Sequence, residues 1–300
     1  LVHLNFDFES DLRREILNQF ERIGVKPPSG DVGDILMDLL SVRRKLIPPI
    51  IRTVKYNPEL LAQLPLHPKR SEIKVLDKLF SQGGNVNRFQ SKRLFQSQFH
   101  DHLCYEWSIF HFHLSTEVDK GNPYFVKQVK QLLFVFISDE EAIFLGTDNH
   151  FNGTFGDVKW LEVLHDHFHY TIEPHYDKGM KIVYPEVDGV GRQNLWDKGY
   201  SLVGTNVRGK VYINPGLGRM TSGHNTKVSM HSNEIMRWVY TMTRQFTSFR
   251  DEIADWLKIE SELAEFYLTL SPVLQIRERK SKKDIISFPY SFVEDPLKEN

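Results

Sequence analysis

Nine of the thirteen histidines lie between His100 and His175, and imidazole is the side chain best suited to exchanging protons near neutral pH. The most informative pair is His111 and His113, within IFHFHL. In a strand, residues two apart share a face, so Phe110, Phe112 and Leu114 would enter a core while both imidazoles look the other way. His150 closes AIFLGTDNH and reaches the same surface from a second strand. Three imidazoles on one sheet face suit either proton transfer or a metal. Lys127 and Lys130, in YFVKQVKQ, bring positive charge to the start of an intervening strand. One imidazole to take the proton of a 2′-hydroxyl, a second to protonate the leaving 5′-oxygen and a fixed cation on the phosphoryl group are what RNA cleavage without a metal requires. The plainer alternative makes each histidine a satisfied polar residue at a sheet edge and each lysine a solvated charge.

A second group is His165, His167 and His169 in HDHFH. On a helix His165 and His169 stand four apart on one face, the spacing of two zinc ligands. The HExxH pattern is absent and no third ligand is specified, with Asp166, Glu173 and His175 all open. HLS (His113–Ser115) and HYT (His169–Thr171) match the H-x-[ST] signature of two-histidine phosphoesterases, a pattern short enough to recur by chance. The segment NPGLGRMTSGHNTKVSMHSNEIMR carries three glycines before a helix expected to start near Ser232. Such a turn can cradle a phosphate, with His224 and Lys227 as contacts, although neither GxxxxGKS nor GxGxxG is present. Cys104, the single cysteine, rules out an intrachain disulfide, a cysteine zinc ribbon and a CxxC pair; it reads as a buried thiol.

The elements that must hold these groups follow from pattern. SDLRREILNQFERI (10–23) reads as a helix capped by Ser10, with a stripe of Leu12, Ile16, Phe20 and Ile23. DVGDILMDLLSVRRKLI and SEIKVLDKLF are further helices, IIRTVKY is a short extended piece, and SQGGNVN (81–87) is a flexible break. SKRLFQSQFHDHLCYEWSI reads as a helix running into the strand HFHLS. QVKQLLFVFIS and AIFLGTDNH are antiparallel neighbours joined at Asp139–Glu141, and WLEVLHDHFHY is an amphipathic helix. MKIVY, YSLVG and KVYIN are short strands. From Ile235 through Val239, Met242, Phe246, Phe249, Ile253, Trp256, Leu263, Tyr267 and Leu270 the apolar residues recur at four-three steps, with Glu260 in one place. That repeat describes one long helix or two stacked ones; residues 275–300 read as a loosely docked tail.

Composition sets the outer bounds. Three hundred residues, 40% hydrophobic and 26% charged, exclude a disordered chain, a collagen-like repeat and a disulfide-stapled miniprotein. The net charge of −1 conceals segregation. Residues 1–40 carry four basic against eight acidic residues, and residues 41–93 carry twelve against three. The basic stretch, with Arg43, Arg44, Arg52 and Lys55, would attract a polyanion or pair with the acidic remainder. No apolar run reaches the length of a membrane span, and the opening LVHLNFDFES lacks the layout of a signal peptide.

RRKLIPPIIRTV (43–54), WSIFHFHLS (107–115), QLLFVF (131–136), a strand ending at His150 and YINPGLGRMTSG (212–223) together resemble an uncharacterised family of bacterial and mobile-element proteins. The resemblance spans most of residues 35–240 and carries no established activity. A more distant, topological likeness through YEWSIFHFHLS and QLLFVFISDEEAIFLGTDNH is to RelE-type ribonuclease toxins, whose core is helices followed by a small antiparallel sheet. It implies an RNA-cleaving function, although this chain is far longer and has histidines where those toxins often use Arg, Lys and Tyr.

The expectation is an α+β fold: a basic helical region over 1–95, a small antiparallel sheet core with flanking helices over 96–230, and a long C-terminal helix and tail over 231–300. The expected function is an RNA-targeting nuclease, or an RNA-binding toxin or defence-like protein, working without a cofactor. His111, His113 and His150 would exchange protons, Lys127 or Lys130 would stabilise charge, and Arg43, Arg44, Arg52 and Lys55 would contact phosphates. The alternatives are a hydrolase using a divalent metal on His165 and His169, and a non-enzymatic partner-binding protein. Expected partners are RNA or another polyanion and a second copy through the C-terminal seam, with no membrane; the expected compartment is the cytoplasm.

Overall fold

The computed structural model describes residues 3–99, 101–151, 153–184, 186–220, 223–258, 263–270 and 273–291. The chain begins with β1 (His3–Asn5), α1 (Phe8–Arg22), α2 (Val32–Arg43), β2 (Thr53–Tyr56), α3 (Pro58–Gln63), α4 (Arg70–Gln82) and α5 (His102–Trp107). It continues with β3 (Ile109–His113), β4 (Gln131–Ile137), β5 (Glu141–Asn149), α6 (Lys159–His167), α7 (Gly189–Asp197), β6 (Gly204–Val207) and β7 (Lys210–Ile213). The last elements are α8 (Thr226–Ser248), α9 (Arg250–Leu257), β8 (Leu263–Thr269), β9 (Val273–Glu278) and β10 (Asp284–Ser291). Helices beside mixed sheets make this an α+β fold. The chain forms two compact units, a terminal one drawn from residues up to Leu40 and from Val228 onward, and a central one, Ser41–Lys227.

In the terminal unit the strand order is β1-β8-β9-β10. β1 pairs parallel to β8 through Leu4 and Ala264, and β8, β9 and β10 are antiparallel. Helix α1 starts earlier than Ser10: Asp7 is its cap, accepting from the Ser10 N–H at 3.0 Å, while the Ser10 hydroxyl donates back at 2.7 Å. A four-three repeat does not survive the length of the C-terminal part. Ile235, Val239, Met242 and Phe246 on α8 are buried, and Phe246 packs edge-on against Phe6, Phe8 and Phe266. Phe249 leaves helical geometry at φ −120° and ψ 44°, so α9 is a separate helix. Beyond it the expected helix is strand β8, where Ala264, Phe266 and Leu268 are buried in a period of two while Leu263 is 55% exposed. Alternation about the pleat decides this segment. The expected tail from 275 forms β9 and β10; Glu260 and residues 292–300 lie outside the described residues. The α8 stripe is spent on the chain's own core, which removes it as an exposed self-association seam.

In the central unit the main sheet has the order β2-β5-β4-β3. The β3–β4–β5 meander is antiparallel as expected, and β2 adds to it parallel to β5. One face of β3 sends Phe112 and Leu114 into a cluster with Phe80, Leu133, Val135 and Phe144. The other face meets Phe134, Ile143, Trp160 and Leu164 beneath α6. Gly146 lets the Trp160 ring lie so close to β5 that a Cβ there would sit 3.1 Å from it. Five local expectations are corrected. The segment 91–99 is a series of turns, and only His102–Trp107 is helical before β3. SQGGNVN is not loose: Gly83 ends α4 in the left-handed region, and buried Asn87 copies a backbone partner, accepting from Ile47 N–H at 2.8 Å and donating to Ile47 C=O at 2.9 Å. MKIVY is irregular, and YSLVG enters a strand only at Gly204. α8 begins at Thr226 rather than near Ser232, because Asn225 accepts the Lys227 N–H at 3.0 Å.

Candidate active site

Asp101 accepts the Cys104 N–H at 3.1 Å and so caps α5. Seven residues later Ser108 takes φ 54° and closes the helix, turning the chain straight into β3. The reversal lays the Asp101 carboxylate beside the imidazole face of the strand. His111 Nδ1 lies 2.9 Å from Asp101 Oδ2. The contact has the distance of an ion pair, and Nδ1 makes no hydrogen bond. Burial by itself would raise the Asp101 carboxyl; the charge and contact of His111, the Cys104 N–H and the charge of His102 hold it below the usual carboxylate range.

His113 differs although it lies on the same face. Its Nδ1 stands 2.8 Å from the Val129 carbonyl and 3.2 Å from the Val129 nitrogen. The shorter contact assigns the proton to Nδ1, donating to the carbonyl and leaving the Nε2 lone pair free. Burial, then the positive charge of His111, push the ring down to about 4 against the pull of that carbonyl, with His150 and Lys92 adding to the lowering. It is neutral at pH 7. The His111 and His113 ring centroids are 6.2 Å apart, and Phe155 sits edge-on between His111 at 4.8 Å and His150 at 5.0 Å. Both rings are buried, 6% and 5% exposed, yet both line a cavity of about 900 Å³.

Exposed His150 and Lys130 also line this cavity, and the His150 N–H donates to Lys130 C=O at 2.8 Å. Lys127 does not: it is exposed and pairs with Glu117 at 2.7 Å. Part of the lining was not foreseen. It holds Arg93, stacked over Phe99 at 4.5 Å, and Arg219, which donates to Gly223 C=O and Trp196 C=O. His102 stacks on Trp196 at 4.5 Å and 9°. Burial, then the charge of Arg219, push His102 down to about 4 against Asp101 and Asp197. Among these the one sequence signal was Asp101 before HLC, an N-cap pattern hidden inside what reads as one longer helix.

The remaining expected contacts fall elsewhere. Arg52 is buried and donates to the carbonyls of Ser138 at 2.7 Å, Pro48 at 2.9 Å and Ile50 at 3.3 Å, so it holds the backbone rather than a phosphate. Lys55 is bound to Glu141 and Tyr170. Arg43 is half-buried and Arg44 exposed, and neither lines the cavity. His224 is buried with Nδ1 3.4 Å from the Ser41 hydroxyl, whereas Lys227 lines a separate groove with His175. The glycine turn is filled by Asn225, which donates to Gly216 C=O and Gly218 C=O at 3.1 Å each. His165 and His169 do approach, with ring centroids 5.1 Å apart, and both meet the Tyr212 hydroxyl, at 2.8 and 3.3 Å. Among the described residues no three His, Cys, Asp or Glu side chains are gathered to hold a metal ion; His100 lies outside them. Cys104 is buried, and burial pushes its thiol up. No described helix is long and apolar enough to cross a membrane.

The chain matches no family model, no curated protein and no solved structure among those compared.

Proposed function

We propose that the protein cleaves RNA by general acid–base catalysis in the cavity between β3 and α7. One observation carries this reading: two imidazoles on one strand face the same basic hollow in different environments, His113 neutral with a free Nε2 and His111 beside a buried carboxylate. Two imidazoles in such unlike surroundings can divide into base and acid. His113 Nε2 takes the proton of a 2′-hydroxyl. The freed oxygen attacks phosphorus, the bond from phosphorus to the 5′-oxygen breaks, and protonated His111 gives its proton to that leaving oxygen. The products are a 2′,3′-cyclic phosphate and a 5′-hydroxyl end. Asp101 supplies the counter-ion of the imidazolium, and Lys130, Arg93 and Arg219 offset the charge gathering on the phosphoryl oxygens.

The test is cleavage of single-stranded RNA in the presence of EDTA by wild type and His113→Ala, with the new ends identified. A cyclic-phosphate end, lost in the variant, supports the assignment. Equal cleavage by both proteins, or none by either, overturns it.

A further inference from the structure

The cavity has features that proton transfer does not use. Phe151 follows His150 directly, lines the mouth and is 61% exposed. A large apolar ring left in water next to a recessed site is an unpaired contact surface. Also lining the cavity, Arg93 lies over the half-buried Phe99 ring, and the exposed member of that pair is the arginine. An aromatic face and a guanidinium plane are the two flat surfaces on which nucleobases stack. The same cavity holds the imidazoles, only 6% and 5% exposed. A stiff A-form duplex cannot bend a phosphodiester down to groups so recessed. A single strand can splay its bases outward and let the linkage descend.

We infer that the cavity takes single-stranded RNA with one base stacked on Phe151 and a neighbouring base on Arg93, and that it rejects duplex RNA. The inference rests on the cleavage reading for its choice of RNA and adds to it how the strand is held. Both flat groups line the cavity that the imidazoles line, so a linkage beside the stacked bases comes within reach of the His111–His113 face. Stacking accepts any base, and the selectivity expected is for strandedness rather than sequence.

The experiment is binding, read by fluorescence anisotropy of a labelled RNA on full-length His113→Ala, which keeps the strand intact. The probes are the single strand, the same strand annealed to its complement, and an abasic strand of equal length. The single strand should bind tightest. Annealing or removing the bases should weaken it at least about tenfold, the ratio that a stack worth ~1.4 kcal/mol gives. Adding Phe151→Ala should produce a similar loss on the single strand and little further loss on the abasic one, whereas Phe151→Trp should retain affinity. Phe151 is exposed, so an unchanged unfolding midpoint shows that the fold is intact. Equal binding of single strand, duplex and abasic strand, an unaffected Phe151→Ala variant, or no binding overturns the inference. The two readings separate cleanly. Strand-selective binding without cleavage by wild type removes the catalytic reading and keeps the stacking one. His113-dependent cleavage that ignores strandedness does the reverse.

Discussion

His111 Nδ1 and Asp101 Oδ2 stand 2.9 Å apart, both side chains 7% exposed, because a single left-handed residue, Ser108, folds α5 back along β3. The carboxylate does two jobs, facing the imidazole and accepting the Cys104 N–H. Asp101→Asn keeps an oxygen for the cap and loses the charge. Asp101→Ala loses both. Cleavage should fall about 100-fold in each variant, the scale of a proton-transfer partner. Urea unfolding should show a further ~1 kcal/mol lost only in Asp101→Ala.

Acid should destabilise the protein through the neutral histidines. His113 and His102 are each pushed down to about 4 from an ordinary 6.5. Between those values the unfolded chain binds more protons than the folded one, so stability is full above pH 6.5 and is lost as the pH falls toward 4. Each ring accounts for roughly 3 kcal/mol at the acid limit. His113→Gln should flatten the urea-unfolding profile in that window; an unchanged slope would contradict the buried neutral ring.

Glu106 should act in the opposite sense. Burial raises its carboxyl to about 7, against the Asn214 hydrogen bond, Arg192 and the Gly218 backbone, and its Oε2 has no partner. The folded state therefore holds the extra proton between pH 4.5 and 7. Its contribution is full below 4.5 and fades as the pH rises through 7. Glu106→Gln should be more stable than wild type at pH 8 by about 3 kcal/mol and show little difference at pH 4.5. Thermal unfolding at the two pH values measures this.

Lys45 is buried and donates to the carbonyls of Gln96 at 2.6 Å and Phe99 at 3.1 Å, with burial lowering it to about 8. It ties down the turn that carries Phe99 and precedes Asp101. Lys45→Met fills similar space and leaves both carbonyls unpaired, at a cost of about 2–4 kcal/mol. Hydrogen exchange of amides 96–99 should speed up more than that of β4.

His165→Ala combined with His169→Ala should leave EDTA-resistant cleavage intact, since that pair shares the Tyr212 hydroxyl on another surface. Loss of cleavage in the double variant, together with EDTA inhibition of wild type that zinc or manganese reverses, would favour the metal alternative over the imidazole pair.

The meander was legible because its signals are local. HFHL alternates, QLLFVFI and EAIFLG are strand-length apolar runs, and Asp139–Glu140 separates them, so the shared face of His111 and His113 follows from a period of two. The other half of the site comes from contacts distant in sequence. Nothing in the spacing of Arg93, Trp196 or Arg219 announces that α7 and the glycine turn close over β3. Arg52 misled because a cation in a basic run looks solvated until three carbonyls surround it. The C-terminal repeat misled differently: residues 263–270 satisfy both a four-three and a two-residue period, and pairing with β9, found only in the folded sheet, chooses between them.

The parallel pairing of His3–Asn5 with Leu263–Glu265, and the Leu268 N–H donated to Asp11 at 3.0 Å, join positions more than two hundred and fifty residues apart. During synthesis α1 emerges with its apolar stripe exposed and must wait for β8, more than two hundred residues on, before its strand partner exists, while the cavity-bearing segment 41–227 can assemble meanwhile. Ribosome-bound chains halted before residue 263 should therefore carry a formed central sheet and a leading helix vulnerable to chaperone capture.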